Sequence, residues 1–314
     1  MSRALVRVPN WLGDLVMSLP ALRAAEGHPG SKTRFWGTGV AGELLPLFFP
    51  QTPVVDARER PGSAEHDLVV LLTGSFRSAL EAFRTRIPRR IGYRGELRSP
   101  LLTEALPVRK RGSVHHWQEY RELISHAGLI DAGANPDHAT FPSCIVEPSG
   151  SEHIAVFPGA TYGRAKLWPA ERFAEAAAKL SARTGLEPVF YGSRSERELL
   201  ERAAAGCHGS RVVHGASLSE VCGRLARARL ALGNDAGGIH LASALGVPCV
   251  AVFGSTDPRW TAPLGEKSAV VSSPAPCSPC FGRNCRIAPR ERIPPCLDSV
   301  GVGSVLEAFT GLGI

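Results

Sequence analysis

Apolar segments of strand type and amphipathic segments of helical type alternate along the whole chain. In the first half, a strand at 4–8 leads into a turn at 9–13 and then into an apolar helix. Residues 90–108 show no clear period and are predicted to form an irregular connection. The other strand patterns of this half cover 33–37 and 67–73, and the helical patterns cover 41–49, 75–85 and 114–129.

The same alternation restarts in the second half with a strand, a glycine-rich loop and a helix over 153–180. Short strands without polar interruption follow, at 187–192, 211–215, 230–235 and 248–254. Uninterrupted apolar strands are typical of a parallel sheet that is covered on both faces. Between the halves, residues 131–151 contain Gly, Asn, Pro and Ser with little periodicity, which makes this segment the predicted domain boundary.

We therefore predict an α/β fold of two doubly wound units, with domains at 1–145 and 146–314. A short amphipathic helix at 304–314 ends the chain; it should pack on one domain and could cross back to the first half. In open α/β sheets, ligands bind at the carboxyl ends of the strands. Functional residues are therefore expected in the loops that follow the strands.

Composition suits this organisation. The length of 314 residues and the apolar content of 44% allow two globular cores. No window approaches the roughly 18 to 20 uncharged apolar residues of a membrane-spanning helix. Because Arg7 interrupts the first apolar run, we expect no cleaved signal peptide, and hence a cytoplasmic protein.

The chain is basic, with a formal net charge of +7 and a pI of about 9.2. Such a charge favours an anionic partner: nucleotide phosphates, an acidic membrane surface or nucleic acid. The basic residues concentrate at 84–98 and 108–112, without the interleaved aromatic residues of an RNA-binding module. Basic runs of this length are often solvated faces. Since both lie in one half, we predict an anionic acceptor or peripheral contact with an anionic membrane surface, and no nucleic acid.

Four of the eight cysteines are clustered in "CSPCFGRNCRIAPRERIPPC", and the other four lie in apolar or small-residue surroundings typical of buried thiols. In a reducing compartment such a cluster suggests a metal before a disulfide. Its spacing fits no standard zinc module, so any metal should be structural rather than catalytic. The candidate ligands are Cys277, Cys280, Cys285 and Cys296.

Three loops that follow predicted strands carry candidate chemistry. The first is in "VRVPNWLGDLVMSLPAL", where Asp14 is the one carboxylate of an otherwise apolar turn and helix start. One interpretation is an acid at a helix N-terminus, favoured by the macrodipole. The other is a catalytic base at the mouth of a cleft.

The second loop, "GNDAGGIHLASALG", joins a strand to a helix that passes through His240. Small residues at a helix start leave backbone N–H groups open to an anion, so this is a candidate diphosphate site. It is neither a P-loop nor a GxGxxG fingerprint. Asp235 is predicted to cap the helix, to meet a sugar hydroxyl, or both. His240 is either a packed helical residue or a phosphate contact.

The third loop is "FPGATYGRAKLWP". Gly159 and Ala160 permit a close backbone approach, Thr161 offers a hydroxyl, and Lys166 precedes a helix that should start near Pro169. Lys166 is either solvent-exposed or a phosphate contact. Together with the helix after Asp235, it could neutralise a leaving diphosphate without a metal.

With these stretches, the chain resembles the ADP-heptose:lipopolysaccharide heptosyltransferases of glycosyltransferase family 9, and most closely the heptosyltransferase II branch. The resemblance extends over almost the whole chain in family order. It is carried by "PNWLGDLVMSLPAL", "RIGYRGELRSPLL", "PGATYGRAKLWP", "GNDAGGIHLASALGVPCVAVFGSTDP" and the "CSPCFGRNC" region. "WLGD" and "NDAGGIH" are specific in combination and weak alone.

The resemblance implies a GT-B fold, in which two Rossmann-like domains face each other across a cleft and the C-terminal one holds the donor nucleotide. It implies inverting, metal-independent transfer of a heptose from an ADP-sugar to a lipid-linked lipopolysaccharide core, with no cofactor. It also implies action at the inner face of the inner membrane, with the N-terminal domain on the acceptor side.

Site residues follow from the matching positions. Asp14 matches the family's proposed general base, and this favours the catalytic interpretation. Lys166 and Thr161 match contacts to the donor phosphates. The donor-binding loop is matched by Asp235, Ala236, Gly237, Gly238 and His240, where Ala236 replaces the Ser or Thr of some relatives. Less specific matches are Glu196 for a ribose contact, Ala216 and Leu218 beside the adenine, and Arg94, Glu96 and Arg98 on the acceptor side.

Two other functions remain open at this point. A GT-B-type nucleotide-sugar epimerase would share the architecture and need no acceptor. A non-catalytic nucleotide-sugar-binding subunit would keep the donor site without turnover, although the presence of both Asp14 and Lys166 argues against it.

Overall fold

Two six-stranded, all-parallel sheets organise the chain, each in its own compact unit. The computed structural model describes residues 2–130, 141–289 and 292–314. The units span residues 1–145 and 146–314. Residues 131–140 of the predicted boundary segment lie outside the described residues.

In the first unit, strands alternate with helices or short connections. Its strands are β1 (Ser2–Arg7), β2 (Ser31–Gly37), β3 (Val54–Asp56), β4 (Leu68–Leu71), β5 (Arg89–Tyr93) and β6 (Glu104–Leu106). Its helices are α1 (Leu12–Glu26), α2 (Val40–Phe48), α3 (Phe76–Arg84) and α4 (His116–His126).

The second unit repeats this plan. Its strands are β7 (His153–Phe157), β8 (Glu187–Gly192), β9 (Arg211–His214), β10 (Ala228–Asn234), β11 (Cys249–Phe253) and β12 (Ser268–Ser272). Its helices are α5 (Ala170–Thr184), α6 (Arg197–Ala205), α7 (Leu218–Leu225), α8 (Gly237–Ala244), α9 (Pro258–Thr261), α10 (Pro295–Asp298) and α11 (Val302–Gly311).

Both sheets have the same strand order. The first is β3-β2-β1-β4-β5-β6, and the second is β9-β8-β7-β10-β11-β12. In each case the order reverses between the first and fourth strands of the unit, β1 and β4 or β7 and β10. This is the topological switch point at which Rossmann-type sheets bind ligands.

Apolar strand sequences explain the core of each sheet. All residues of β4, β7 and β11 are buried, as expected for parallel strands with helices on both faces. In the second unit the buried cluster includes Trp168, Phe173, Phe190 and Phe309, and it joins strand side chains with those of α5, α6 and α11. These central strands set the positions of the loops at their carboxyl ends.

Local signals define several helix ends. Ser75 caps α3 by accepting a hydrogen bond from the Ser78 amide at 3.2 Å. Ser217 and Glu220 form a reciprocal capping box at the start of α7. Gly185 ends α5 with a left-handed φ of +71°.

Two expectations need correction. Residues 90–108 are not an irregular connection, because they contain most of β5 and all of β6. These strands escape pattern recognition since β5 carries Arg89 and Arg90 and β6 has only three residues. The final helix, α11, does not cross back: it belongs to the second unit, where Val305 and Phe309 are fully buried in the core.

Candidate active site

The loops after β7 and β10 flank the switch point of the second sheet, and a buried asparagine holds them together. Asn234, at the end of β10, accepts a hydrogen bond from the Trp168 amide at 3.0 Å. Its own side-chain amide donates to the Pro158 carbonyl at 2.7 Å. The loop that runs from Pro158 to Trp168 is therefore fixed against the start of the α8 loop. Sequence reasoning gave Asn234 no role beyond the turn.

Asp235 is the centre of a buried polar cluster. The Lys166 ammonium lies 2.5 Å from one carboxylate oxygen, to which the Thr256 hydroxyl also donates at 2.6 Å. His240 Nε2 lies 3.3 Å from the other oxygen. The side chains of Asp235, His240 and Lys166 are only 2%, 4% and 12% exposed. The structure thus brings together three of the predicted donor-site residues.

The charge of Asp235 is held by this cluster. Burial alone would raise the pKa of the carboxyl group, but the contacts with His240 and Lys166 outweigh burial and lower the pKa to about 2. Asp235 is therefore ionised at neutral pH. Because its charge is matched by Lys166, the pair can be buried without an uncompensated ion.

Asp235 is not the N-cap of α8. The N-cap is Ala236, which has no side-chain capping bond. Gly237 and Gly238 open the helix, and a Cβ on Gly238 would lie 2.2 Å from the Phe157 ring. The small residues here therefore allow the start of α8 to pack directly on the end of β7, which brings its N-terminal amides to the switch point.

The remaining donor-side candidates lie at the same sheet edge. Thr161 is exposed in the turn after β7. Glu196 follows β8, and its carboxylate accepts hydrogen bonds from the Ser193 amide and hydroxyl at 2.8 and 2.7 Å. A Cβ on Gly159 would lie 2.0 Å from Glu196 Oε1, so this carboxylate lies against the loop after β7. Ala216 and Leu218 flank the α7 N-cap at the end of β9, the outermost strand.

In the first unit, Asp14 lies in the first turn of α1, directly after β1 at the switch point. Helix α4 packs against α1 and carries Tyr120, which is 3% exposed. Burial raises the pKa of Tyr120 well above its usual value, and the charges of Asp14 and Glu119 raise it further. The Tyr120 hydroxyl lies 2.7 Å from His116 Nε2, and Nδ1 of the same ring contacts Glu119. A polar chain on α4 thus lies within electrostatic range of Asp14.

A basic cavity that sequence reasoning missed occupies the carboxyl edge of the first sheet. Its volume is about 530 Å³. It is lined by residues at the ends of the strands and in α3, among them five arginines and two glutamates: Arg7, Arg58, Arg60, Arg77, Arg84, Glu59 and Glu81. The available signal was Arg7, a charge at the end of an otherwise apolar strand.

Arg7 is buried beneath this cavity with incomplete pairing. It is 5% exposed, and one guanidinium nitrogen donates to the Trp36 carbonyl at 3.2 Å. Glu81 lies 3.6 Å from another. Arg7 Nε and Trp36 Nε1 are buried without a hydrogen-bond partner among the described residues. Buried unpaired donors of this kind are costly in the absence of a ligand.

The predicted acceptor-side residues lie in the loop after β5. Arg98 is fully buried and donates to the Thr73 carbonyl, and Glu96 accepts from the Phe76 amide at 3.2 Å. Arg94 Nε donates to the Ala105 carbonyl at 3.1 Å. All three side chains hold this loop to neighbouring backbone. The basic cavity is lined by a different set of residues.

The predicted metal centre is not supported. Within 2–130, 141–289 and 292–314, no three His, Cys, Asp or Glu side chains are arranged to hold a metal ion. Cys277 and Cys280 are exposed, Cys285 is half-buried, and Cys296 is buried in the core of the second unit. Burial raises the pKa of the Cys296 thiol, and the charges of Cys277, Cys280 and Cys285 raise it further.

Both units thus have the doubly wound Rossmann strand order, and the second carries a buried Lys-Asp-His cluster at its switch point. Within the described part of the chain, no helix combines the length and apolar character needed to cross a bilayer.

Comparison with known proteins identifies the family. The model of glycosyltransferase family 9 (heptosyltransferase) matches residues 58–290. The chain is 28% identical to lipopolysaccharide heptosyltransferase 2 of Salmonella typhimurium, over 86% of this chain and 87% of that protein. It is also 28% identical to lipopolysaccharide heptosyltransferase 1 of Pseudomonas aeruginosa, over 92% and 89%.

Solved structures agree. The E. coli ADP-heptose lps heptosyltransferase II superposes with a TM-score of 0.79 at 25% identity, over 99% of this chain and 98% of that one. E. coli heptosyltransferase WaaC with ADP has the same fold, with a TM-score of 0.73 at 23% identity and 99% coverage of both chains. The chain belongs to glycosyltransferase family 9, the heptosyltransferases, which confirms the resemblance and the fold class predicted from sequence.

Proposed function

We propose that this protein transfers a heptose from an ADP-sugar to a lipid-linked lipopolysaccharide core, with inversion at the anomeric carbon and without a metal ion. The observation that carries the proposal is the buried cluster of Lys166, Asp235 and His240 at the switch point of the second unit. The relatives named for lipopolysaccharide heptose transfer support the choice of substrates.

The second unit binds the donor in this proposal. Asp235 orients Lys166 and His240 beside the N-terminus of α8, where a diphosphate would meet a cation and backbone amides together. Thr161 adds a hydroxyl. Glu196 contacts the ribose, and Ala216 and Leu218 border the adenine. Leaving-group charge is thereby stabilised by protein groups alone.

The first unit binds the acceptor. A lipopolysaccharide core is anionic, and the basic cavity offers five arginines at the carboxyl edge of the sheet that also carries Asp14. Arg94, Glu96 and Arg98 support this side by shaping the adjacent loop. The net charge of +7 favours peripheral contact with the anionic inner face of the inner membrane, where the lipid-linked acceptor lies.

The reaction is a single displacement. The acceptor hydroxyl attacks the anomeric carbon through an oxocarbenium-like transition state, and the bond from that carbon to the diphosphate breaks. Asp14 takes the proton of the attacking hydroxyl as general base, and ADP leaves with the bonding electron pair. Inversion requires Asp14 to act on the sugar face opposite the diphosphate.

The test is Asp14→Asn, which keeps the shape of the side chain and removes its basicity. We expect kcat to fall by about 100-fold or more, the range for loss of a general base, with ADP affinity unchanged. Transfer from ADP-heptose to a heptose-deficient core acceptor measures the first quantity, and calorimetry with ADP measures the second. Full transfer activity in the variant would rule out Asp14 as the general base.

Two further measurements define the chemistry. ADP should raise the unfolding temperature more than UDP or GDP at equal concentration, because ligands stabilise the state that they bind. Transfer should continue at an unchanged rate in EDTA. A dependence on added divalent cations would contradict the metal-independent mechanism.

A further inference from the structure

The cysteine-rich segment, residues 277–289, packs on the loop after β7. The Ala165 amide donates to the Arg283 carbonyl at 3.0 Å, and the Tyr162 hydroxyl donates to the Phe281 carbonyl at 2.7 Å. The Phe281 amide in turn donates to the carbonyl of Ser255, which follows β11 in the chain, at 2.7 Å. The segment is therefore attached to the same loop that carries Lys166.

Gly163 makes this attachment close. Its φ is +152°, and a Cβ at this position would lie 2.3 Å from the Arg283 carbonyl oxygen. Any larger residue would collide with the backbone of the segment and would also disfavour this φ. The backbone of Arg283 is thus held at a fixed place beside the donor loop.

Two cations share one aromatic ring at this place. Lys166 Nζ lies 4.9 Å from the centroid of the Tyr162 ring, and Arg283 Cζ lies 5.4 Å from it. Both distances are within the range of cation–π attraction. Tyr162 therefore contacts both cations, although Lys166 and Arg283 are separated by more than a hundred residues of sequence.

The charge balance of the cluster favours a second cation beside a bound diphosphate. Lys166 is matched by Asp235, at 2.5 Å, so the pair contributes little net charge toward a diphosphate. Arg283 is exposed, and among the ion pairs of the described residues none involves it. An arginine also presents a planar fork of donors that suits phosphate oxygens in a bidentate way.

We propose that Arg283 is a second diphosphate-binding residue, delivered to the donor site by the cysteine-rich segment through Tyr162. This inference rests on the proposed nucleotide-sugar donor and gives a role to a residue to which the motif matches assign none. It also assigns a purpose to the segment: its backbone fixes the loop after β7, and its arginine supplies the charge that the Lys166–Asp235 pair lacks.

The experiment compares ADP with adenosine, which lacks the diphosphate, by calorimetry on the full chain. In Arg283→Ala we expect the Kd for ADP to rise by about tenfold, as for loss of a charge-assisted hydrogen bond. The Kd for adenosine should stay unchanged. Arg283→Lys should recover part of the loss, since it keeps the charge and loses the fork. Arg286→Ala is the matched control, because Arg286 is exposed on the same segment, and it should bind ADP as the parent protein does.

The outcomes separate the inference from the proposed function. If the parent binds ADP and Lys166→Ala weakens binding while Arg283→Ala does not, the donor site stands and the role of Arg283 is wrong. Equal losses for ADP and adenosine would show a purely structural effect and would also overturn it. If the parent prefers UDP or GDP, the ADP donor is wrong, and the same comparison on that nucleotide still decides the role of Arg283. Binding of none of the three would overturn both.

Discussion

The carboxyl edges of the two sheets have the same topology and differ in how far their charges are paired. Both follow the strand order that reverses between the first and fourth strands of the unit. At the second edge, the charges of Lys166 and Asp235 are buried and paired, with the His240 ring against the same carboxylate. At the first edge, Arg7 is buried with an unpaired nitrogen, and the other cavity arginines lie around it. One fold thus offers a pre-paired site and a site with excess positive charge.

The difference matters for the ligand that the proposed function assigns to each edge. A satisfied cluster with small residues beside it holds groups in place for a ligand whose diphosphate approaches the backbone closely. An edge with excess arginine attracts an anion of less defined shape, because charge acts over a longer range than hydrogen-bond geometry. This contrast agrees with a donor site in the second unit and an acceptor site in the first.

The largest expected effect is the loss of the paired charge at the second edge. Asp235→Asn leaves Lys166 buried without its counter-ion, and we expect the free energy of unfolding to fall by about 3–5 kcal/mol. Urea denaturation measures it. The control is Asp298→Asn, whose ion pair with Arg172 is 58% exposed at the carboxylate and should cost no more than about 1 kcal/mol. Similar losses in both variants would contradict the distinction between a buried and a surface pair.

The same cluster should set the acid stability of the second unit. The pKa of Asp235 is about 2 in the folded protein and 3.8 ordinarily. A lowered pKa stabilises the folded state above pH 3.8, and this contribution is lost as the pH falls toward 2. The stability gap between the parent and Asp235→Asn should therefore narrow by roughly 2 kcal/mol between pH 5 and pH 2. A gap that is constant across this range would exclude Asp235 as the titrating group.

Gly163 tests the close packing at the second edge. Gly163→Ala should destabilise by about 2 kcal/mol, because the position combines a strained φ with a clash against the Arg283 carbonyl. ADP affinity should fall with it. Gly303→Ala is the control, since Gly303 lies in α11 with open space around its Cα, and alanine there should stabilise by about 0.5–1 kcal/mol. Chemical denaturation measures the free energy of unfolding of both variants. Stabilisation of both would show that the flexibility of glycine, and not the close packing at Gly163, sets the effect.

The smallest stability effect is expected at the first edge. Arg7→Met replaces a poorly paired buried charge with an apolar chain of similar length, so the free energy of unfolding should change by less than about 1 kcal/mol. The KM for the acceptor should nevertheless rise by about tenfold, with the KM for the donor unchanged. A large loss of stability would show that this edge is as fully paired as the second. An unchanged KM for the acceptor would exclude a role for the basic cavity in acceptor binding.

Sequence reasoning recognised the central elements and missed the marginal ones. The pattern of the chain predicts five strands and the amphipathic helix α4 within a few residues of where they lie: β1, β2, β4, β7 and β11. The edge strands β3 and β6 have three residues each, too short for any period to show. Strand β12, with only one fully buried residue, also lacked a clear signal.

The candidate site divides in the same way. Motif spacing singled out Lys166, Asp235 and His240, and the structure brings them together. Their assignment to donor binding, and that of Asp14 to catalysis, stays a prediction. Spacing could not show that Asp235 pairs with Lys166 instead of capping α8, or that Arg98 is buried. Nor could it show that the cysteines form no group arranged to hold a metal ion within the described residues.

By itself, then, the sequence determined the α/β class, the parallel sheets and the family, because hydrophobic periodicity and short motifs are local properties that a linear chain displays directly. The tertiary structure alone decided which charges are paired, which are buried, and which cation lies beside Tyr162. Those properties depend on contacts between residues far apart in the chain, such as Lys166 with Asp235 and Tyr162 with Arg283, and on the loss of water around them. Neither the pairing of a charge nor its burial can be read from the residues next to it in the sequence.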